Sequence, residues 1–81
     1  MVLERQHIKA IKLLAMEILY AKPHGSLISQ KELYYIIYAN LEFAHCIAKC
    51  LIERHIYSMI RMAIRNNVYR KYTRRGYYER I

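Results

Sequence analysis

Residues Ile52–Gly76 read IERHIYSMIRMAIRNNVYRKYTRRG, and the fold depends on whether this stretch is strand, helix or both. As strands, Ile60, Met62 and Ile64 share one face while Arg61, Ala63 and Arg65 share the other. Asn66-Asn67 suits a two-residue type I′ turn, because Asn tolerates positive φ better than other non-Gly residues. That register sets Ile64 opposite Tyr69, Arg61 opposite Tyr72 and Lys71 opposite Met62. As a helix, Ile56, Ile60, Ala63, Ile64 and Val68 also form a stripe. The two Asn would cost only about half a kcal/mol each there, so local periodicity does not separate the readings. The order of the surrounding elements favours a helix that ends near Arg54 and a basic hairpin over about residues 58–73. The alternative is an all-α chain with a long basic C-terminal helix.

Upstream, residues 3–21 read as a first helix. Leu3, Ile8, Ile11, Leu14, Ala15, Ile18 and Ala21 recur at helical steps, with Arg5, Lys9 and Lys12 on the opposite side. Beyond Lys12 the polar strip nearly vanishes, so Leu13, Leu14, Ile18 and Leu19 are expected at an interface with a second copy. Lys22-Pro23-His24-Gly25 ends the helix. Ser29-Gln30-Lys31-Glu32 has the spacing of a capping box and opens a second helix over about 29–39. That helix should bury Leu33, Ile36, Ile37 and one of Tyr34, Tyr35 and Tyr38. Asn40 serves as a breaker, and a third helix is expected over about 41–54. Its inward residues would be Phe43 or Ala44, Ile47, Leu51 and Cys50.

The chain of 81 residues has room for one domain. Its 56% hydrophobic content exceeds what one small core needs, which favours an oligomer. Formal charge is +8 and unevenly placed: residues 54–81 carry eight Lys/Arg, seven of them Arg, against a single Glu. Arg is the better phosphate fork, being planar, bidentate and always charged, so this split points to a polyanionic partner. No apolar run approaches the roughly 18–20 residues that span a bilayer, and MVLERQHIKA has no signal-peptide profile. The expected compartment is the cytoplasm, with no membrane partner.

The order helix, link, capped helix, turn, helix, basic hairpin resembles the winged helix-turn-helix DNA-binding domain over about residues 7–78. The resemblance rests on Gly25–Leu33, on Ile47, Leu51, Ile52, Glu53, Arg54 and Ile56, and on Tyr72-Thr73-Arg74-Arg75-Gly76. The last is similar to the family's Thr-x-x-Gly after its second wing strand, where Thr caps a final helical turn. Small domains of this kind are common in archaea and their viruses. The resemblance implies an α+β, mainly helical fold: a three-helix core with a C-terminal β-hairpin wing. It also implies sequence-preferring double-stranded DNA binding and transcriptional regulation as a homodimer. This chain departs from the family pattern in having His55 where a Gly often follows the recognition helix. Helix 3, as bounded above, carries Glu42 and Glu53 but only Lys49 as a cation before Arg54.

The expected DNA-contacting residues are His45 and Lys49 on helix 3, and Arg61, Arg65, Asn66, Asn67, Arg70, Lys71, Arg74 and Arg75 on the wing. Six phosphate contacts would make affinity fall with salt at a log–log slope of about −5. An Arg at the wing tip suits a narrow A·T-rich minor groove. Cys46 and Cys50 stand four apart, which is weak as a metal pattern; buried thiols are the simpler expectation, with no metal or cofactor. The chain has no Asp, no Gly-rich phosphate loop and no nucleophile with an evident base, so no enzyme is expected. The rival readings are an interaction module that docks an acidic protein, and RNA binding.

Overall fold

The computed structural model describes residues 4–81. It is an α+β, mainly helical fold: three helices and a three-stranded antiparallel sheet in the arrangement of a winged helix. Helix α1 spans Arg5–Ala21, strand β1 Leu27–Ser29, helix α2 Gln30–Asn40 and helix α3 Lys49–Arg65. Strands β2, Tyr69–Lys71, and β3, Tyr77–Arg80, complete the chain. Leu3, expected in the first helix, lies outside the described residues.

Helix α1 buries His7, Ile11, Ala15 and Leu19 at four-residue steps along one side. It ends because Pro23 has no N–H to donate to the Leu19 carbonyl and the residue before it, Lys22, takes extended geometry. Ser29 caps α2, its hydroxyl accepting the Glu32 N–H at 3.0 Å. Only half of the expected capping box forms, since the Glu32 carboxylate turns toward Lys22 at 3.9 Å. Leu33, Tyr34 and Ile37 are the buried residues of α2, with Ile36 only half-buried.

The third helix departs from expectation. Residues Glu42–Cys46 form a short 3₁₀ turn, and Ile47 and Ala48 are extended before α3 starts at Lys49. Burial explains the break. Ala44 and Ile47 are buried three apart, yet the next buried residue, Ile52, comes five later, and that step does not continue a helical stripe. From Ile52 a new stripe of Ile56, Met59, Ile60 and Ala63 keeps the 3.6-residue period well past Arg54. The chain resets phase at Ile47-Ala48 so that both sets reach the core. Phe43 and Leu51 are half-buried, and Cys50 faces out.

The wing is displaced for the same reason: residues 58–65, expected as a strand, belong to α3. The Asn pair is a helix stop and not a hairpin turn. Asn66 is the C-cap, Asn67 adopts φ 60, and their neighbours close a Schellman motif. In it the Asn67 N–H donates to the Ile64 carbonyl at 3.0 Å and the Val68 N–H to the Ala63 carbonyl at 2.9 Å.

The true wing turn is Thr73–Gly76, closed by the Tyr72 N–H donating to the Tyr77 carbonyl, with Gly76 at φ 82. Thr-x-x-Gly is thus the turn itself and does not follow the second wing strand. The short tail after it becomes the central strand, in sheet order β1-β3-β2. Ile28 pairs with Tyr78 and Lys71 with Tyr78, while Leu27 and Arg70 pair with Glu79. Ile28, Tyr69 and Tyr78 face the helices and join the core with Ile11, Leu19, Ile37, Ile52, Ile56 and Ile60.

Candidate nucleic-acid interface

The stripe that α3 buries dictates what it shows to solvent. With Ile52, Ile56, Met59, Ile60 and Ala63 inward, the opposite side carries Cys50, Arg54, Tyr57, Ser58, Arg61, Met62 and Arg65, all exposed. Among the described residues none of Arg54, Arg61 and Arg65 has a carboxylate partner. The one acidic side chain on α3, Glu53, is half-buried, and Glu42 lies off the helix on the 3₁₀ turn. The outward face of α3 is therefore a basic strip with one hydroxyl and one phenol in it.

The wing extends this strip. A cleft of about 270 Å³ between α3 and the sheet is lined by Tyr57, Ile60, Arg61, Ile64, Arg65, Lys71 and Tyr78. Three cations share its mouth and no acidic residue lines it. Lys71 reaches the cleft because it alternates with Arg70: Tyr69 and Lys71 face the helices, Arg70 faces away. Burial, and secondarily the neighbouring Tyr57, raise the Tyr78 hydroxyl above its ordinary pKa. Tyr78 therefore presents a neutral hydrogen-bonding group beside the three cations.

A second groove joins Ser29, Gln30 and Lys31 of α2, Lys49 and Glu53 of α3, and Arg75, Gly76 and Tyr77 of the wing. The Gln30 N–H donates to the Gly76 carbonyl at 3.1 Å, which ties the wing turn to the start of α2. Lys31, Lys49 and Arg75 thus come together from three separate elements.

Of the expected site residues, Arg61, Arg65 and Lys71 meet in the first cleft, and Lys49 and Arg75 in the second. Arg74 lies over the Tyr77 ring, 4.7 Å from its centroid, and is exposed. Arg70 is engaged, its Nε donating to Glu79 at 2.8 Å across the β2–β3 pair. Asn66 and Asn67 are exposed but shape the backbone that ends α3. His45 is not on α3: it sits on the 3₁₀ turn with its Nδ1 2.7 Å from the Tyr38 hydroxyl.

Arg54, Tyr57 and Ser58 join the outward face of α3 as a group that the expected third helix does not contain. Ending the third helix at Arg54 hides the fact that 50, 54, 57, 58, 61 and 65 are one helical face; counting the polar residues between buried positions would have found it.

Arg80 behaves differently from the other cations. It lies near the Tyr69 ring, with Nη1 3.3 Å from the Val68 carbonyl and Nε buried without a partner, so it serves the fold.

Two further expectations change. Cys46 and Cys50 are both free and exposed, because the chain breaks between them and each ends on an outward position. Of the expected dimer residues Leu13 is 54% exposed and Leu14 and Ile18 are half-buried, but Leu19 is 1% exposed and packs in its own core. Among the described residues no helix is long and apolar enough to cross a membrane. The chain matches no protein-family model, no curated protein and no solved structure.

Proposed function

We propose that this chain is a winged-helix protein that binds double-stranded DNA with sequence preference and regulates transcription as a homodimer. The observation that carries the reading is the uncompensated face of α3: Arg54, Arg61 and Arg65, with Tyr57 and Ser58 between them, running into Lys71 at the base of the wing. A helix fits the major groove, where Arg forks the O6 and N7 of guanine and Ser takes either donors or acceptors. Arg74 and Arg75 at the wing turn, with Lys31 and Lys49 behind them, supply contacts to the flanking phosphates. Docking of an acidic protein is less favoured, because Glu42 lies off α3 on the 3₁₀ turn and Glu53 is half-buried.

The test is fluorescence anisotropy on a duplex across a salt series. With about six phosphate contacts the log–log slope is expected near −5, and substituting Arg74 and Arg75 together by Ala lowers its magnitude by about 2. Affinity that ignores salt, or that survives replacing Arg61, Arg65, Arg74 and Arg75 together, sinks the reading. Tighter binding to single-stranded RNA in competition would move it to the exposed Tyr57 and Tyr72 as stacking surfaces.

A further inference from the structure

The outward side of α1 holds a pattern that its core packing does not use. Ile11 and Ala15 point inward, which puts Leu13 diametrically outward, 54% exposed, and Met16 beside it at 36%. Leu13 and Met16 border a groove whose other side is Met59 and Met62 of α3, with Ile8 and the cations Arg5, Lys9 and Lys12 also lining it. Thioether side chains adapt to irregular partners, so this is a surface that can accept another helix. Four residues before Leu13 stands Lys9 and four after it Glu17, both exposed and neither in an ion pair among the described residues. On a helix the two lie about 40° to either side of Leu13 and about 6 Å above and below it.

That spacing is self-complementary. We propose that the groove is filled by α1 of a second copy, antiparallel, with the two-fold axis passing between the two Leu13 side chains. Residues facing each other then sum to twice thirteen: Lys9 meets Glu17 of the second copy, Glu17 meets its Lys9, and Gln6 meets its Tyr20. Leu13 contacts its own equivalent, and Met16 covers Ala10. The interface is isologous, as a closed dimer requires, and the charges fix its register. Centring the axis on Met16 instead would set Leu13 against Leu19, which is buried in its own core, and would put Lys9 opposite Pro23, beyond the helix end. No α3 side chain of the basic strip other than Met62 takes part, so the DNA-facing side stays open.

This inference rests on the homodimer in the proposed function, and its test separates the two. Sedimentation at tens of micromolar is expected to show a dimer for the wild type and a monomer for Leu13→Glu, whose exposed position leaves folding intact. Lys9→Glu and Glu17→Lys, each alone, place like charges at both contacts and weaken the dimer by about tenfold. Mixed in equal amounts, K9E and E17K chains restore both attractions, and native mass spectrometry should find the heterodimer in excess over either homodimer. A wild-type dimer that ignores all three substitutions overturns this register while leaving the homodimer standing. A wild-type monomer overturns both, and leaves duplex binding by α3 to be judged on its own.

Discussion

The Tyr69 hydroxyl donates a 2.6 Å hydrogen bond to the carbonyl of Leu19, 50 residues away. Leu19 would bond to the N–H four residues on, but that residue is Pro23, which has none. The first strand of the wing therefore satisfies the carbonyl that the helix-ending proline leaves orphaned, and pins β2 to the end of α1. Tyr69 is 1% exposed and also packs against Ile28 and the α3 stripe through the shared core.

Tyr69→Phe keeps the ring and removes the bond, so a buried carbonyl loses its partner. The expected loss is about 1–2 kcal/mol, read as a drop in the urea midpoint at unchanged m-value. In a domain of this size each kcal/mol lowers the melting temperature by about 4–8 °C. An unaltered midpoint would show that the hydroxyl contributes nothing beyond the ring.

Asn67 sits at φ 60, where a Cβ is tolerated poorly and a branched side chain worse. Asn67→Gly should be neutral or stabilising by up to about 1 kcal/mol, whereas Asn67→Val should cost about 1–2 kcal/mol. The pair distinguishes a helix C-cap from a DNA contact. In the first case stability moves and duplex affinity measured well below the melting temperature does not; the opposite result would return Asn67 to the interface.

Base readout and phosphate grip should come apart by mutation. Arg54→Ala and Ser58→Ala, on the outward face of α3, are expected to relax sequence preference, with Arg54 worth about 1–3 kcal/mol at one base pair. Arg74→Ala and Arg75→Ala should weaken all duplexes alike and reduce the salt slope by about 1 each. Arg70→Ala should do less than Arg61→Ala, because Glu79 already engages Arg70. Binding-site selection from a random duplex pool, run on each variant, checks the division.

Stability should fall off on both sides of a plateau. Partial burial first, then Lys12 and Arg54, hold the His55 imidazole below its ordinary pKa of about 6.5. The unfolded chain therefore binds the extra proton more readily; stability is complete above about pH 6.5 and is lost as pH falls through the lower folded value. On the alkaline side burial raises Tyr69 and Tyr78. Their contribution is complete below about pH 10 and is lost as pH rises toward their higher folded values. Thermal melts from pH 4 to 11 test both arms. His55→Gln should flatten the acid arm and leave the alkaline arm in place; an acid arm unchanged by it would remove His55 as the cause.

Much of the fold is written locally. Pro23, the Ser29 cap and the stripes of α1 and α2 act within a few residues, so the first two helices and the link between them follow from spacing alone. The order of elements, the single basic half and a C-terminal wing are legible for the same reason. The path of residues 41–80 is not, because its signals are degenerate. Ile60, Ala63 and Ile64 satisfy a helix and a strand about equally, and Asn tolerates positive φ in a hairpin turn and in a C-cap alike. Only tertiary burial decides: Ile52 through Ala63 must cover the core along one helical side, which carries α3 to Arg65 and makes Asn67 its stop. The remaining tail then has one open place, between β1 and β2, where Tyr78 closes the core. The identity of the residues on the exposed face of α3 turns on that same choice, since the face opposite a buried stripe exists only once the stripe has something to bury against.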